Sequence, residues 1–137
     1  MKEKIDLVVI GNQIVDGESH KTEISTVGTY ETTENGFKLE YEDYIEGMSS
    51  TTSTIEVTGG TQVDIIREGD ICTNMSVCAG ERHQCHYVTP YGGILLGVNG
   101  DEVKVGNGSL YIKYTLDLNP NILSTNEVNI KFSAIKS

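Results

Sequence analysis

The chain has 137 residues, with 20 acidic side chains against 10 basic ones and a formal net charge of −10 at pH 7. This length predicts a single domain spanning residues 1–137 with a core of its own. The negative charge repels phosphate backbones and anionic lipid surfaces, so neither nucleic acid nor a membrane is expected as a partner. The first residues lack a signal-peptide pattern, and the cysteine count of 3 is odd. We therefore expect a soluble, cytoplasmic protein.

Alternation of apolar and polar residues predicts β-strands along the whole chain. The alternation is clearest from Leu110 to Leu118, where even-numbered residues are apolar or aromatic and the intervening odd-numbered residues are mostly polar. The 15 glycines and only 2 prolines fit the same interpretation. In chain order, strands are predicted at residues 4–14, 20–32, 37–45, 50–57, 62–67, 71–78, 84–89, 93–98, 102–106, 109–118 and 127–135.

Glycine- and asparagine-containing pairs separate many of these strands and supply the positive φ angles of tight hairpin turns. They are Asn35-Gly36, Gly59-Gly60, Gly69-Asp70, Asn99-Gly100 and Asn107-Gly108. Short turns make neighbouring strands antiparallel, and closure removes the exposed edges of such a sheet. The sequence therefore predicts an all-β fold, a single up-and-down antiparallel β-barrel of about 8–11 strands. A two-sheet sandwich is the alternative, but the long connections typical of sandwiches are missing.

Several short elements make the chain resemble a known family. They are Ile65-Ile66-Arg67-Glu68-Gly69, Ala79-Gly80, Tyr87 with Thr89-Pro90-Tyr91-Gly92, Tyr111-Ile112-Lys113-Tyr114 and Asn129-Ile130-Lys131-Phe132. Through them the chain resembles the bacterial YwiB-like proteins, a family of unknown function. The resemblance extends over nearly the whole chain and implies a calycin-like (lipocalin-like) β-barrel. It implies no activity.

The densest group of possible metal ligands and nucleophiles comprises Cys72, Cys78, His83, Cys85 and His86. Its spacing matches no standard zinc knuckle, and alternation along a strand turns His86 away from His83 and Cys85. A cysteine–histidine nucleophile pair would also need an orienting acid and oxyanion donors, which the sequence does not place. We expect no catalytic residue, no metal and no cofactor. The sequence alone leaves a metal at this cluster open, and enzymatic activity remains the weakest alternative.

Arg67 is the leading candidate for a binding residue, because it continues an alternating row that faces the barrel interior. A cation at such a position lies at the rim, pairs with a carboxylate or binds an anionic group of a ligand. Tyr41, Tyr114 and Tyr91 are candidates to line the same interior, with their hydroxyls bonded to the wall or to a ligand. The expected apolar wall consists of Leu39 and Ile112.

Two functions from different classes fit this sequence. The first is a non-enzymatic protein that binds a small apolar or anionic molecule inside the barrel. The second is a structural or protein-interaction barrel whose interior is filled by its own side chains. The interior volume discriminates between them. The oligomeric state is open, and a homodimer is possible if strand edges stay unpaired.

Overall fold

The computed structural model describes residues 2–43, 51–69, 72–89, 92–118 and 121–135. Within these ranges the chain forms ten β-strands and no helix, so no segment there has the length and hydropathy of a membrane-spanning helix. The strands are β1 Lys2–Val15, β2 Glu18–Thr33, β3 Gly36–Asp43, β4 Thr51–Thr58, β5 Gln62–Glu68, β6 Thr73–Cys78, β7 Arg82–Thr89, β8 Gly92–Gly106, β9 Ser109–Leu118 and β10 Asn121–Ala134.

All ten strands form one antiparallel sheet in the order β6-β5-β4-β3-β2-β1-β10-β9-β8-β7. Two meanders, β1 to β6 and β7 to β10, are joined by the pairing of the first strand with the last. This ladder runs from Ile5 opposite Ala134 to Ile14 opposite Thr125. Each strand therefore lies next to its neighbours in sequence, and the predicted up-and-down antiparallel topology is confirmed.

The sheet nearly closes between β6 and β7, which lie at its two ends. Cys72 and Val88 exchange backbone hydrogen bonds of 2.8 and 2.9 Å. At the other end of this seam, the Gly80 amide donates to the Gly100 carbonyl over 2.8 Å, and the Gly100 amide donates to the Glu81 carbonyl over 2.9 Å. The result is a nearly closed barrel, consistent with the calycin-like architecture that the resemblance implied.

Aliphatic side chains fill the middle of the barrel. Alternation places one side chain in two on the inner face of each strand, and the residues of the predicted rows are buried there. Leu39, Val63, Val77, Val98 and Ile112 have no measurable exposure. The middle of the barrel is therefore a packed core and not a channel.

The two ends of the barrel differ. At one end, which we call the aromatic end, the rings of Tyr30, Phe37 and Phe132 lie with centroids 5.4 to 5.7 Å apart. The polar end is the opposite one, where β3, β5, β7 and β9 end. There the inner face carries hydroxyl, amide and guanidinium groups in place of aliphatic ones.

One predicted turn is wrong. Asn99-Gly100 does not separate two strands, because residues 93–98 and 102–106 both belong to β8, and the register with β9 shifts between Gly100 and Glu102. A Cβ at Gly100 would overlap the carbonyl oxygen of Cys78, so the glycine permits close approach of β8 to the seam. The last strand also begins earlier than predicted, at Asn121, with a register shift after Ile122.

An ion pair and a hydrogen bond on the outer face link β7, β8 and β9. The Arg82 guanidinium lies 2.8 Å from the Asp117 carboxylate, which also accepts a hydrogen bond from the Asn99 amide. Gly97 lies beneath the pair, where any Cβ would overlap both charged groups. Asp117 is consequently buried although it faces outwards. The glycine thus leaves room for an ion pair lying flat on the sheet.

Replacement of a core side chain tests the packing. Ile112→Ala should lower the free energy of unfolding by about 2–5 kcal/mol, because it leaves a cavity in the middle of the barrel. Ile122→Ala is the matched control, since Ile122 is 70% exposed, and it should change the free energy by less than about 0.5 kcal/mol. Urea unfolding followed by circular dichroism measures both. Equal effects would contradict the packed core.

A second pair of variants tests closure of the seam. Gly100→Ala should destabilise the protein and accelerate amide hydrogen exchange at Gly80 and Gly100, because the Cys78 backbone cannot rotate away from the added methyl group. In the control Gly106→Ala, the nearest atom is the Ser109 hydroxyl, a side chain that can move. Unchanged exchange in Gly100→Ala would show that these bonds do not close the barrel.

Candidate functional site

A row of polar side chains crosses four neighbouring strands at the polar end. Tyr41 lies opposite Ser53, Ser53 opposite Arg67, and Arg67 opposite Thr73. Each of them follows or precedes a buried core residue by two positions, so all four share the inner face. We call Tyr41, Ser53, Arg67 and Thr73 the inner polar row.

The facing wall comes from β9 and β10. Tyr114 lies opposite Asn126, and both are buried, with Ser124 next to them on the same face. The Asn126 amide donates a hydrogen bond of 3.0 Å to the Ser124 hydroxyl. The first strand adds Gln13, which lies opposite Asn126. The two walls thus enclose a space with polar groups on both sides.

The space between them is a cavity of about 280 Å³ that opens to solvent at the rim, where Gln13, His20 and Arg67 are exposed. Arg67, Thr73 and Tyr114 line it together with apolar side chains that include Met75 and Leu96. An adjoining cavity of about 80 Å³ shares Arg67 and Tyr114 and reaches Tyr41. The barrel is therefore filled in its middle but hollow at the polar end.

Arg67 supplies the positive charge of this cavity. In the part of the chain that the structure describes, it forms no ion pair. Burial raises the pKa of the Tyr114 phenol, while the positive charge of Arg67 acts in the opposite direction. Tyr114 therefore remains a neutral hydroxyl at physiological pH, able to donate or accept a hydrogen bond beside the guanidinium.

Thr73 carries a hydroxyl with an unmet hydrogen-bonding capacity. The residue is 5% exposed, and its Oγ1 has no hydrogen-bond partner among the described residues. A buried hydroxyl without a partner is destabilising, and native structures contain few of them. Because Thr73 lines the cavity and lies opposite Arg67, a molecule in the cavity can supply the missing partner.

The thiol of Cys85 is buried at the seam behind this site. It accepts a hydrogen bond from the Asn74 backbone amide, which lowers the pKa of the thiol, but burial raises that pKa more strongly. Cys85 is therefore a protonated thiol at neutral pH. Its hydrogen bond with Asn74 links β7 to β6 between the backbone hydrogen bonds of the seam.

The rest of the cysteine and histidine cluster is spread over the surface. His86 is exposed, the Cys72 thiol donates to the Gly69 carbonyl, and the Cys78 thiol donates to Glu81. The hydrogen bond to Glu81 raises the pKa of Cys78, which opposes a nucleophilic thiolate. Across the described ranges, no three histidine, cysteine or acidic side chains are grouped closely enough to hold a metal ion.

The structure brings three of the four candidate residues together, since Arg67, Tyr41 and Tyr114 line one cavity. Tyr91 lies outside the described residues. Leu39 and Ile112 lie in the packed core and do not form the cavity wall. Thr73 and Asn126 were not predicted as site residues. The pattern that could have identified them is a polar residue at an inward position of a row that is otherwise apolar.

A second cavity, of about 360 Å³, lies at the aromatic end. It is lined by the rings of Tyr30, Phe37 and Phe132, by Glu3 and Ser133, and by the turn at residues 106–108. It contains no arginine or lysine, and no unpartnered buried polar atom of the described residues faces it. The polar end is therefore the better candidate for a functional site.

Fold and site together define a ten-stranded antiparallel barrel with a packed middle and a polar cavity at one end. A family model described as a domain of unknown function, DUF1934, matches residues 8–130. The chain belongs to this family. The crystal structure of the ywiB protein from Bacillus subtilis is similar, with a TM-score of 0.82 and 18% sequence identity over 98% of this chain and 94% of that one. At this identity the likeness establishes the fold alone. No match is found among curated proteins.

Removal of the unpartnered hydroxyl should make the protein more stable. In Thr73→Val the methyl group occupies the position of the hydroxyl, and we expect the free energy of unfolding to rise by about 1 kcal/mol, because no buried polar group is left unpaired. Thr73→Ser keeps the hydroxyl and should show no gain. Thermal and urea unfolding provide the measurement. A clear loss of stability in Thr73→Val would mean that the hydroxyl is already paired.

Proposed function

We propose that this protein is a non-enzymatic barrel that binds a small molecule in the cavity at the polar end. The observation that carries the proposal is the buried Thr73 hydroxyl, which lacks a partner and lines the same cavity as Arg67. Both groups are hydrogen-bond donors that the described part of the chain does not use. A bound molecule would satisfy them.

The size of the cavity limits the molecule. A volume of about 280 Å³ corresponds to about nine waters at the density of the liquid and lies near the lower limit of ligand pockets. Arg67, Tyr114 and Asn126 provide directed polar contacts, and Met75 and Leu96 provide apolar surface. This combination supports a compact ligand with both a polar and an apolar part.

The alternative is a structural or protein-interaction barrel. It is supported by the packed middle of the barrel and by apolar residues on the outside, among them Ile122 at 70% and Leu95 at 54% exposure. A homodimer through such a surface belongs to this alternative. The two proposals make different demands on the cavity, since an interaction barrel does not require it to be occupied.

The proposed compartment is the cytoplasm. The cysteines Cys72, Cys78 and Cys85 are all free thiols, and Cys72 is exposed. Free exposed thiols are typical of a reducing compartment, which supports this location.

Binding can be tested without knowledge of the ligand. We expect native mass spectra of the protein purified from a bacterial cytosol to contain an additional small mass that is released on denaturation. In Gly11→Leu the new side chain projects into the cavity, which Gly11 lines, and the additional mass should be lost. Gly106→Leu at the aromatic end is the control and should retain it. A spectrum of the unmodified chain alone, together with no amide shifts in a screen of small fragments, would favour the interaction barrel.

A further inference from the structure

We infer that the molecule bound at the polar end is a small organic monoanion whose carboxylate is held by Arg67. This inference rests on the proposed binding function and names the chemical class of the ligand. Three observations carry it: the unpaired guanidinium, the neutral donors around it and the distribution of acidic groups.

The guanidinium is available for a ligand. The chain contains two arginines, Arg67 and Arg82. Arg82 lies on the outer face and is bound by Asp117 at 2.8 Å. Arg67 lies on the same side of β5 as the core residues but at the rim, where it is exposed, and it forms no ion pair in the described ranges although the chain has 20 acidic residues. With so many carboxylates in the chain, an arginine that lacks one at the mouth of a cavity is well suited to receive a carboxylate from outside.

The groups beside Arg67 fit a carboxylate. A guanidinium offers two parallel N–H donors that match the two carboxylate oxygens. Thr73, directly opposite Arg67 in the register of β5 and β6, presents its unpartnered hydroxyl to the same cavity. The neutral phenol of Tyr114 is a third donor, because burial keeps it protonated. Each carboxylate oxygen can therefore accept a hydrogen bond from Arg67 and a further one from a neutral donor.

Among the described residues that line the cavity at this end, no acidic side chain takes an inward position. Glu127 is the acidic residue among those that line the cavity of about 280 Å³ at the polar end. It occupies an outward position between Asn126 and Val128. The other titratable side chains that line it, besides Arg67 and Tyr114, are Tyr87 and His20, and His20 lies at the rim opposite Gln13. In the described ranges, the inner wall thus presents one permanent cation, Arg67, beside neutral polar and apolar groups, which favours one negative charge.

A single cation also discriminates between anions. Inorganic phosphate carries close to two charges at neutral pH and is usually bound by several cations or by a helix terminus, neither of which is present in the described cavity. The apolar lining of Met75 and Leu96 has no role for a free inorganic anion. A carboxylate attached to a small apolar group uses both kinds of lining.

Benzoate and benzamide form a suitable pair of probes, because they have the same shape and differ in charge. We expect benzoate to shift the amide resonances of Arg67, Thr73 and Tyr114 in a 1H–15N titration. The affinity for benzamide should be lower by at least about tenfold, since a charge-assisted bidentate pair is replaced by a neutral contact. Inorganic phosphate at the same concentration should produce smaller shifts at these positions.

Variants of Arg67 test whether this residue causes the difference in affinity between benzoate and benzamide. Arg67→Gln should remove the preference for benzoate over benzamide, and Arg67→Lys should restore part of it, because lysine keeps the charge without the bidentate geometry. Lys104→Gln is the control. It removes a cation from the outer face, where Lys104 pairs with Glu102 at 2.9 Å, and it should leave the preference unchanged.

The outcomes distinguish a failure of the carboxylate assignment from a failure of the proposed small-molecule binding. Equal binding of benzoate and benzamide at the cavity would overturn the carboxylate assignment and leave the binding function standing. Stronger shifts with phosphate than with benzoate would replace the ligand class with a phosphate. No shift with any probe, in a protein that also carries no released mass, would overturn both proposals. Preference retained in Arg67→Gln would show that Arg67 does not hold the anion.

Discussion

The pairing of β1 with β10 is the contact on which the rest of the barrel depends. It joins residues from opposite ends of the chain, Ile5 with Ala134, and converts two meanders into one sheet. On the far side the barrel closes with much less backbone bonding, between Cys72 and Val88 and around Gly100. The β1–β10 ladder therefore joins the two meanders, and the seam completes the barrel with few backbone hydrogen bonds. The candidate cavity lies beside this seam, next to Thr73.

The alternation of side chains then decides what the barrel contains. Inward positions near the middle carry branched aliphatics, and burial of this apolar surface is the main stabilising contribution. Towards the polar end, the same inward positions carry Ser53, Arg67, Thr73 and Asn126. Apolar residues at these positions would extend the core and stabilise the fold. The polar groups at these positions, one of them unpartnered, give up that stability, as expected of the binding site that we propose.

Much of this could be predicted from the sequence. Strict alternation and turn residues predicted the strands, and the alternating row that ends at Arg67 made this residue a candidate for the barrel interior, whereas the sequence left open whether that interior is hollow. The error at Asn99-Gly100 came from a glycine needed for close approach to Cys78, a contact between distant segments that no local pattern contains. The role of Thr73 could not be predicted for a related reason. A threonine in a strand is ordinary, and only the packed structure identifies its hydroxyl as buried and unpaired.

Net charge and local charge act in opposite directions on a ligand of this barrel. The formal charge of −10 repels anions at long range, and this repulsion grows with the charge of the anion. At the cavity, the exposed Arg67 acts at short range on a molecule that also contacts the apolar side chains of Met75 and Leu96. A monoanion encounters the weakest repulsion and still forms the full contact with one guanidinium. Under the proposed binding function, the acidic exterior and the single arginine at the rim would together favour a singly charged molecule.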